Sequence, residues 1–476
     1  MQNESPIAIS EKKKELLDQS FRDSVATINQ KGKRNFLFPK QPKGKLYRWR
    51  TIVSLLCLAV FFTLPLIKIQ GEPLFLFNVV ERKFILFGQI FWPQDFFIFA
   101  IGFLTFMVFI VLFTVVFGRV WCGWACPQTV FMEMVFRKLE YWIDGDAAAQ
   151  KRLKEMPFNA YKFKKRSLKV AVFFLVSFVF ANFFLSYIIG MDRVIKMVED
   201  GIADHLGTFF SLLGFTTVFF FVFYWFREQA CIIVCPYGRL QGVLLDRKSM
   251  VVAYDYVRGE PRGKLKKATL DTSAGDCIDC TACVRVCPTG IDIRNGTQLE
   301  CVNCTACIDA CDAIMEKINK PLGLIRIDSE ENIATGKKTS FNWRLAAYST
   351  VLVLLLSALV YLLASRSDVD VTLLRTPGQI FQTQPDGRIS NLYNIKLANK
   401  TKTAIPVTMR LENVSGEITV IAKELAVPAE SYFQTTFFVK VDRAHIVRRK
   451  TPLTIGIYEG TKKIKTVTTT FLGPGY

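Results

Sequence analysis

The stretch 277–288 reads CIDCTACVRVCP, and the stretch 301–311 reads CVNCTACIDAC. Each spells C-x2-C-x2-C-x3-C, and Cys301 follows Cys287 by fourteen residues. Thiolates two residues apart on a tight loop reach three irons of one cubane, while the fourth cysteine reaches the neighbouring cluster. One [4Fe–4S] cluster is therefore expected on Cys277, Cys280, Cys283 and Cys311, and a second on Cys301, Cys304, Cys307 and Cys287. Zinc sites more often use paired C-x2-C units across a longer spacer. One asymmetry stands out: Pro288 follows Cys287, whereas Asp312 follows Cys311. A carboxylate beside a cluster adds negative charge and is expected to lower its potential. Two clusters in one small fold make an electron wire rather than a substrate pocket. No G-x-G-x-x-G follows a strand, so no dinucleotide site is expected.

Working outward, the rest of the 476-residue chain is apolar and basic at once: 51% hydrophobic with 42 Phe, yet formally +20. That combination reads as a membrane protein with basic loops and not as a nucleic-acid binder, which would carry a basic stripe on a soluble fold. Five segments are long enough to cross a bilayer, which takes about 20 residues. They lie near 51–69, 95–117, 167–190, 206–226 and 343–364; Pro65 and Lys68 weaken the first. No secretory signal is read, because residues 1–50 are polar and basic before Thr51. Lys12, Lys13, Lys14, Lys33, Arg34, Arg48 and Arg50 precede the first span. Lys and Arg also crowd the loops near 118–166 and 227–342, the latter through Arg227, Arg239, Arg247, Lys248, Lys264, Lys266 and Lys267. The loops near 70–94 and 191–205 are neutral or acidic. The positive-inside rule then places the N-terminus and the clusters on the cytoplasmic face and the C-terminus outside. Disulfides are disfavoured on that reducing face.

The fold class expected is a multi-domain integral membrane protein. A basic cytoplasmic segment (1–50) precedes a helical membrane domain (51–250). A two-cluster ferredoxin-like α+β domain (251–342) follows, then the fifth span (343–364). Residues 368–476 change character: short β-rich runs alternate with turn signals at Asn413–Gly416 and Glu459-Gly460, which suggests an all-β, immunoglobulin-like sandwich. It has no cysteine and must be stable without a disulfide.

Twelve of the thirteen cysteines fall in four tight groups, and two of these groups sit where spans end. GRVWCGWACPQTVF (118–131) gives Cys122 and Cys126; REQACIIVCPYGRLQ (227–241) gives Cys231 and Cys235. Both read C-x3-C-P, a weak internal repeat. On a continuous helix, i and i+4 place both sulfurs on one face with Cβ atoms about 5–6 Å apart. A disulfide wants roughly 3.8 Å. Two thiolates from each helix converging on a metal fit better, as zinc, iron–sulfur or Cu(I). The prolines echo Cys287-Pro288, or simply end the helices. A lone buried cysteine is often mere packing, and Cys57 reads that way. Trp121 and Trp124 read as interfacial residues. Met132 and Met134, two apart, share no helix face and read as packing. His205 and His445 are too far apart in sequence for a bis-histidine haem.

Together these motifs resemble the FixG/RdxA (CcoG-like) family of membrane ferredoxin-type proteins, associated with assembly of the cbb-type haem–copper oxidase. GRVWCGWACPQTVFME and CPYGRLQGVLLD look like its membrane signatures, and CIDCTACVRVCPTGIDIRNG with CVNCTACIDACD looks like its ferredoxin domain. QPDGRISNLYNIKLANKT opens a tail similar to its immunoglobulin-like domain. The resemblance implies a bacterial inner-membrane protein with a periplasmic C-terminal domain. It implies a cupric reductase-type oxidoreductase, reducing Cu(II) to Cu(I) with electrons from the two clusters. Cys122, Cys126, Cys231 and Cys235 would then be catalytic, binding the copper ion or a further iron–sulfur cluster. Oxidase subunits, copper chaperones or transporters, and an unidentified electron donor are the implied partners. The same helix pairs also look like those of membrane ferredoxin subunits that oxidise quinol; a non-catalytic assembly scaffold is a third reading.

Overall fold

The structure is a computed structural model. It describes residues 26–474 except 29–30, 32, 70, 80–82, 88, 92–94, 202, 265–274, 337–342, 366–368, 377–379, 402, 422–425, 430 and 447. The basic residues Lys12, Lys13, Lys14, Lys266 and Lys267 lie outside the described residues. The rest falls into two compact units, one within Met1–Val79 and Ile101–Ser357, the other within Val80–Ala100 and Ala358–Tyr476.

Among the described residues five helices are long and apolar enough to cross a membrane: Lys45–Thr63, Phe96–Phe117, Ala160–Ile189, Leu206–Phe226 and Leu345–Ala364. In lipid every backbone amide must be bonded within its own segment, which these uninterrupted Phe-, Val- and Leu-rich runs achieve as helices. The helices used below are α1 (Lys45–Thr63), α2 (Phe96–Phe117), α3 (Val120–Trp124), α4 (Ala160–Ile189), α5 (Leu206–Phe221), α6 (Pro236–Leu244), α7 (Ala282–Val286), α8 (Ala306–Lys317) and α9 (Trp343–Ala364). The first span differs from expectation. It begins six residues earlier than Thr51, inside the basic stretch, and stops at Thr63, ahead of Pro65. The earlier start has a cause: Asp309 of α8 accepts from the amides of Leu46 (3.2 Å) and Tyr47 (2.8 Å), two of the unpaired donors at the N-terminus of α1.

The phenylalanines form the core between the spans. Phe131, Phe136, Phe173, Phe180 and Phe223 are all buried. Phe136 stacks on Phe223 with ring centroids 4.7 Å apart and planes 7° apart. The helix wall is interrupted by π-helical turns at Val130–Phe136, Val222–Phe226 and Ala230–Val234. Such wide turns cluster at functional sites. Met132 and Met134 are buried in the first of them.

The cysteine-rich part of this unit is closed by two antiparallel strands, β1 (Val251–Tyr254) and β2 (Ile325–Asp328), with Val251 opposite Asp328 and Tyr254 opposite Ile325. Helices α7 and α8 lie between them in sequence. Val252, Tyr254, Ile291, Ile293, Ile308, Met315 and Ile325 make their shared core.

The second unit is a β-sandwich. Its strands are β3 (Val369–Arg375), β4 (Ile389–Asn399), β5 (Thr408–Leu411), β6 (Gly416–Val420), β7 (Tyr432–Val441), β8 (Lys450–Glu459) and β9 (Lys462–Leu472). One sheet runs β6-β7-β4-β3 and the other β5-β8-β9. Tyr393, Ile395, Leu397, Phe437, Val439, Leu453, Ile455, Ile457 and Phe471 fill the space between them. The Tyr393 hydroxyl, inside that core, donates to the Thr470 carbonyl at 3.0 Å. Such apolar burial replaces a disulfide as the source of stability.

Candidate metal centres

None of the thirteen cysteines is in a disulfide. Among the described residues no three of His, Cys, Asp or Glu are drawn together tightly enough for a single metal ion, but twelve of the cysteines have one another as electrostatic neighbours in three sets of four, with Cys57 in α1. The neighbouring sulfurs that act on Cys311 are Cys283, Cys277 and Cys280. Those acting on Cys307 are Cys304, Cys301 and Cys287, and only then Cys283. Cys311 thus has the sulfurs of the first motif as neighbours, and Cys307 has Cys287 among its own. The first ferredoxin set is Cys277, Cys280, Cys283 and Cys311; the second is Cys287, Cys301, Cys304 and Cys307.

The loops themselves are shaped for an anion. Asp279 (φ 53°), Thr281 (φ 56°), Asn303 (φ 52°) and Thr305 (φ 64°) are left-handed at matching positions of the two motifs. For a β-branched threonine that conformation is strained, and such strain persists where the surroundings demand it. Alternating left- and right-handed residues turn successive amides inward, which makes a concavity for a cluster. Cys283, Cys287, Cys301, Cys304 and Cys307 line one cavity with Val252, Ile291 and Ile293. The Asn303 side-chain amide nitrogen beside it is buried with no hydrogen-bond partner among the described residues. Thiolate donors, a buried unpartnered amide and an apolar wall fit [4Fe–4S] clusters, which supply one-electron transfer when bound.

Burial pushes the thiols of Cys283, Cys301 and Cys311 up to about 12; for Cys283 and Cys311 the neighbouring sulfurs add to it, while at Cys301 a backbone hydrogen bond at Asn303 opposes it. They are protonated when free, and binding metal must release those protons.

The third quartet joins the two span ends. The sulfurs acting on Cys231 are Cys126, Cys235 and Cys122. Burial raises Cys231 to about 12 and Cys122 to about 11, with Arg119 opposing the latter. No continuous helix runs through Cys122 and Cys126. Helix α3 stops at Trp124, and Cys126 is extended (φ −61°, ψ 126°) with Pro127 opening the next helical turn. Cys235 repeats this (φ −65°, ψ 112°) ahead of Pro236 at the start of α6. The prolines therefore begin helices; they do not end them. The physical reason is that a residue preceding proline is forced out of the helical region, while proline itself suits the first helical position. Cys287 before Pro288 has the same backbone (φ −70°, ψ 121°). Trp121 is half exposed, whereas the indole N–H of Trp124 is buried.

This quartet backs directly onto the second ferredoxin set. Gly123, inside the first C-x3-C, leaves so little room that a Cβ there would sit 2.4 Å from the Val302 carbonyl oxygen and 2.9 Å from Asn303. Val302 and Asn303 lie between Cys301 and Cys304. The contact is clamped by two buried arginines. Arg50 Nε donates to the Gly123 carbonyl at 2.7 Å. Arg119 Nε donates to Gln241 Oε1 at 2.8 Å, and its Nη1 to the Leu299 carbonyl. Cys122 Sγ lies 3.2 Å from the same Gln241 oxygen.

Comparison with known proteins bears directly on these quartets. A 4Fe-4S dicluster domain matches residues 226–330, and a 4Fe-4S binding domain matches 99–145. The IG-like fold at the C-terminus of FixG matches 359–474. Protein RdxB of Cereibacter sphaeroides is 36% identical over 387 residues, covering 77% of this chain and 80% of its own. RdxA of the same organism is 35% identical over 381 residues (76% and 79%). Nitrogen fixation protein FixG of Rhizobium meliloti is 31% identical over 423 residues, 80% of each chain. The chain belongs to the FixG/RdxA family.

As a member of the FixG/RdxA family the protein is an iron–sulfur redox protein with membrane-crossing helices and an immunoglobulin-like C-terminal domain. The dicluster match spans all eight ferredoxin cysteines and Cys231 and Cys235; the second match spans Cys122 and Cys126. Arg50, Arg119, Gly123, Gln241 and Asp309 escaped sequence reasoning. Only Arg119 carried a signal, its place three residues before Cys122. His205 lies 3.4 Å from Asp200, a local surface contact, and His445 sits in a short 3-10 turn.

Proposed function

We propose that this protein carries single electrons through the two ferredoxin sets to Cys122, Cys126, Cys231 and Cys235, and there reduces Cu(II) to Cu(I) for assembly of a cbb-type oxidase. The ligands of one [4Fe–4S] cluster are Cys277, Cys280, Cys283 and Cys311; those of the other are Cys287, Cys301, Cys304 and Cys307. The observation that carries the reading is the backbone contact of Gly123 with Val302 and Asn303, which sets the span-end quartet against the second ferredoxin set. Soft thiolates hold Cu(I) better than Cu(II), so the quartet favours the reduced product. Each copper ion takes one electron and one cluster loses one. The ferredoxin part and the N-terminus lie on the cytoplasmic face of the inner membrane. The β-sandwich faces the periplasm, where it meets oxidase subunits, copper chaperones or transporters.

The test is anaerobic. The purified protein is reduced with dithionite, freed of excess, and given Cu(II) with a Cu(I)-specific chelator. Cluster bleaching matched one-for-one by Cu(I) supports the reading. Reoxidation by a quinone analogue with indifference to copper overturns it in favour of quinol chemistry. Oxidase assembly that survives loss of every cluster cysteine supports a scaffold.

A second reading of the quartet has an observation of its own. Cys126 and Cys235 share the backbone of Cys287, a cysteine of the ferredoxin motif. On this reading a third cluster sits at the span ends and hands electrons on. Roughly eight irons per chain would mean two cubanes and about twelve would mean three.

A further inference from the structure

The two ferredoxin sets do not share one electrostatic environment. Around the first set acids and bases offset one another: Asp276, beside Cys277, pairs with Arg258 at 2.5 Å and Lys320 at 3.0 Å, and Arg262 lies 3.9 Å from Glu260. Asp312 adjoins Cys311, and its Oδ1 accepts from the Gly323 amide at 2.9 Å. Asp292 acts on Cys283, as does Arg294. That arginine is already engaged: it pairs with Asp292 at 2.6 Å and with Asp279 at 2.5 Å. Tyr254, which touches Cys277, donates to Glu260, a buried carboxylate, at 3.1 Å. Arg285, exposed, reaches only the Cys280 carbonyl.

Around the second set two cations stand without a bonded carboxylate among the described residues. Arg119 acts on Cys301 and Arg50 on Cys304. Both are buried, at 4% and 2% exposure. Their hydrogen bonds go to Gly123 O, Gln241 Oε1 and Leu299 O, which are carbonyl and amide oxygens, so their charge is not cancelled locally. One Nη of Arg50 has no hydrogen-bond partner among the described residues. The opposing acid, Glu133, acts on Cys304 but is itself bonded to Arg137 at 2.9 Å. Both arginines come from the membrane part of the chain, at the ends of the first two spans, and not from the ferredoxin motif.

Reducing a cluster adds one negative charge. A buried cation stabilises that state and raises the potential; a nearby carboxylate lowers it. We propose that Arg50 and Arg119 make the cluster of the second ferredoxin set the higher-potential one, so that an electron entering at the Cys277 set runs towards the span-end cysteines and does not return. In that transfer the first cluster loses one electron, the second gains it, and no proton moves. The initial electron comes from a low-potential one-electron donor, for which dithionite substitutes in the test. The proposal rests on the ligand assignment above, but not on copper.

The experiment is an EPR-monitored redox titration of the full-length protein in detergent, without copper, with iron and sulfide counted for every variant. Wild type should show two midpoints. Arg119→Gln and Arg50→Gln should each lower the upper midpoint and leave the lower one in place. Arg119→Lys keeps the charge and should keep the wild-type value. Asp312→Asn should raise the lower midpoint alone. If the arginine variants retain iron but move the lower midpoint, or neither, the gradient does not exist. If Arg119→Gln loses iron, Arg50→Gln decides by the same criterion, and Asp312→Asn decides independently: a shift of the upper midpoint would overturn the assignment. Copper inertness with these shifts intact would remove the copper reading and leave the gradient standing.

Discussion

Gly123→Ala tests whether the membrane part and the ferredoxin part work as one piece. The added methyl would sit 2.4 Å from the Val302 carbonyl oxygen and 2.9 Å from the Asn303 carbonyl carbon and oxygen. These neighbours are backbone, so no rotamer change relieves the overlap. Ordinary contact begins near 3.4 Å, which requires the Cys301–Cys304 loop and α3 to part by about 1 Å. Overpacking of this kind costs about 1–3 kcal/mol. The strain falls where Arg50 clamps the Gly123 carbonyl, so that bond must lengthen as well. Two effects are expected together: a lower unfolding midpoint in detergent, and slower cluster bleaching by Cu(II) at unchanged iron content. Gly214→Ala is the control, because a Cβ there meets nothing within 4 Å. It should leave both readings unaltered. Wild-type stability and wild-type bleaching in Gly123→Ala would refute the contact as the link between the two parts.

Cys311→Ser should remove the EPR signal of the cluster on Cys277, Cys280 and Cys283, not that of the motif it lies in, and Cys287→Ser should do the converse. A loss confined to each residue's own motif would contradict the exchange. Asp309→Ala strips α1 of the carboxylate that caps Leu46 and Tyr47, at a cost of about 1–2 kcal/mol, to be read from thermal unfolding against Asp309→Asn, which keeps one acceptor. Glu140→Gln takes one anion from the buried cations Lys169, bonded at 2.6 Å, and Arg227, which keep Asp144 at 2.8 Å and Glu228 at 3.9 Å; it should destabilise, by less than the about 3–5 kcal/mol of a buried charge left unpaired. Burial acts to raise the Glu140 carboxyl, but Arg227, Lys169 and Arg137 outweigh it and hold the group down at about 2. A depressed native value means that its stabilisation is complete above the ordinary carboxylate range and is lost as pH falls towards 2. Acid unfolding curves should therefore steepen between about pH 4 and 2 in wild type and lose that limb in Glu140→Gln.

Much of this architecture was legible because each part writes its own pattern. The spans are long apolar runs with their charges gathered at one end, the sandwich shows alternation broken by turn residues, and the two C-x2-C-x2-C-x3-C motifs are short enough for local geometry to govern them. Where reading failed, the cause was local chemistry overridden or a distant partner. The start of α1 moved back to Lys45 because Asp309, more than two hundred and sixty residues away, supplies its cap. No helix continues through Cys126, because Pro127 forbids the helical conformation to the residue before it. That rule is readable in sequence and outweighs the i, i+4 spacing.

The sequence by itself determined the cysteine groups, the apolar spans and the β-rich tail, since all three are properties of neighbours along the chain. Only the tertiary structure decided that Cys122, Cys126, Cys231 and Cys235 are neighbours, and that Gly123 abuts the Cys301–Cys304 loop. It alone decided that Arg50 and Arg119 lie buried beside the Cys301–Cys304 loop. Those facts depend on contacts between segments far apart in the chain, and a buried charge takes its effect from what surrounds it in space.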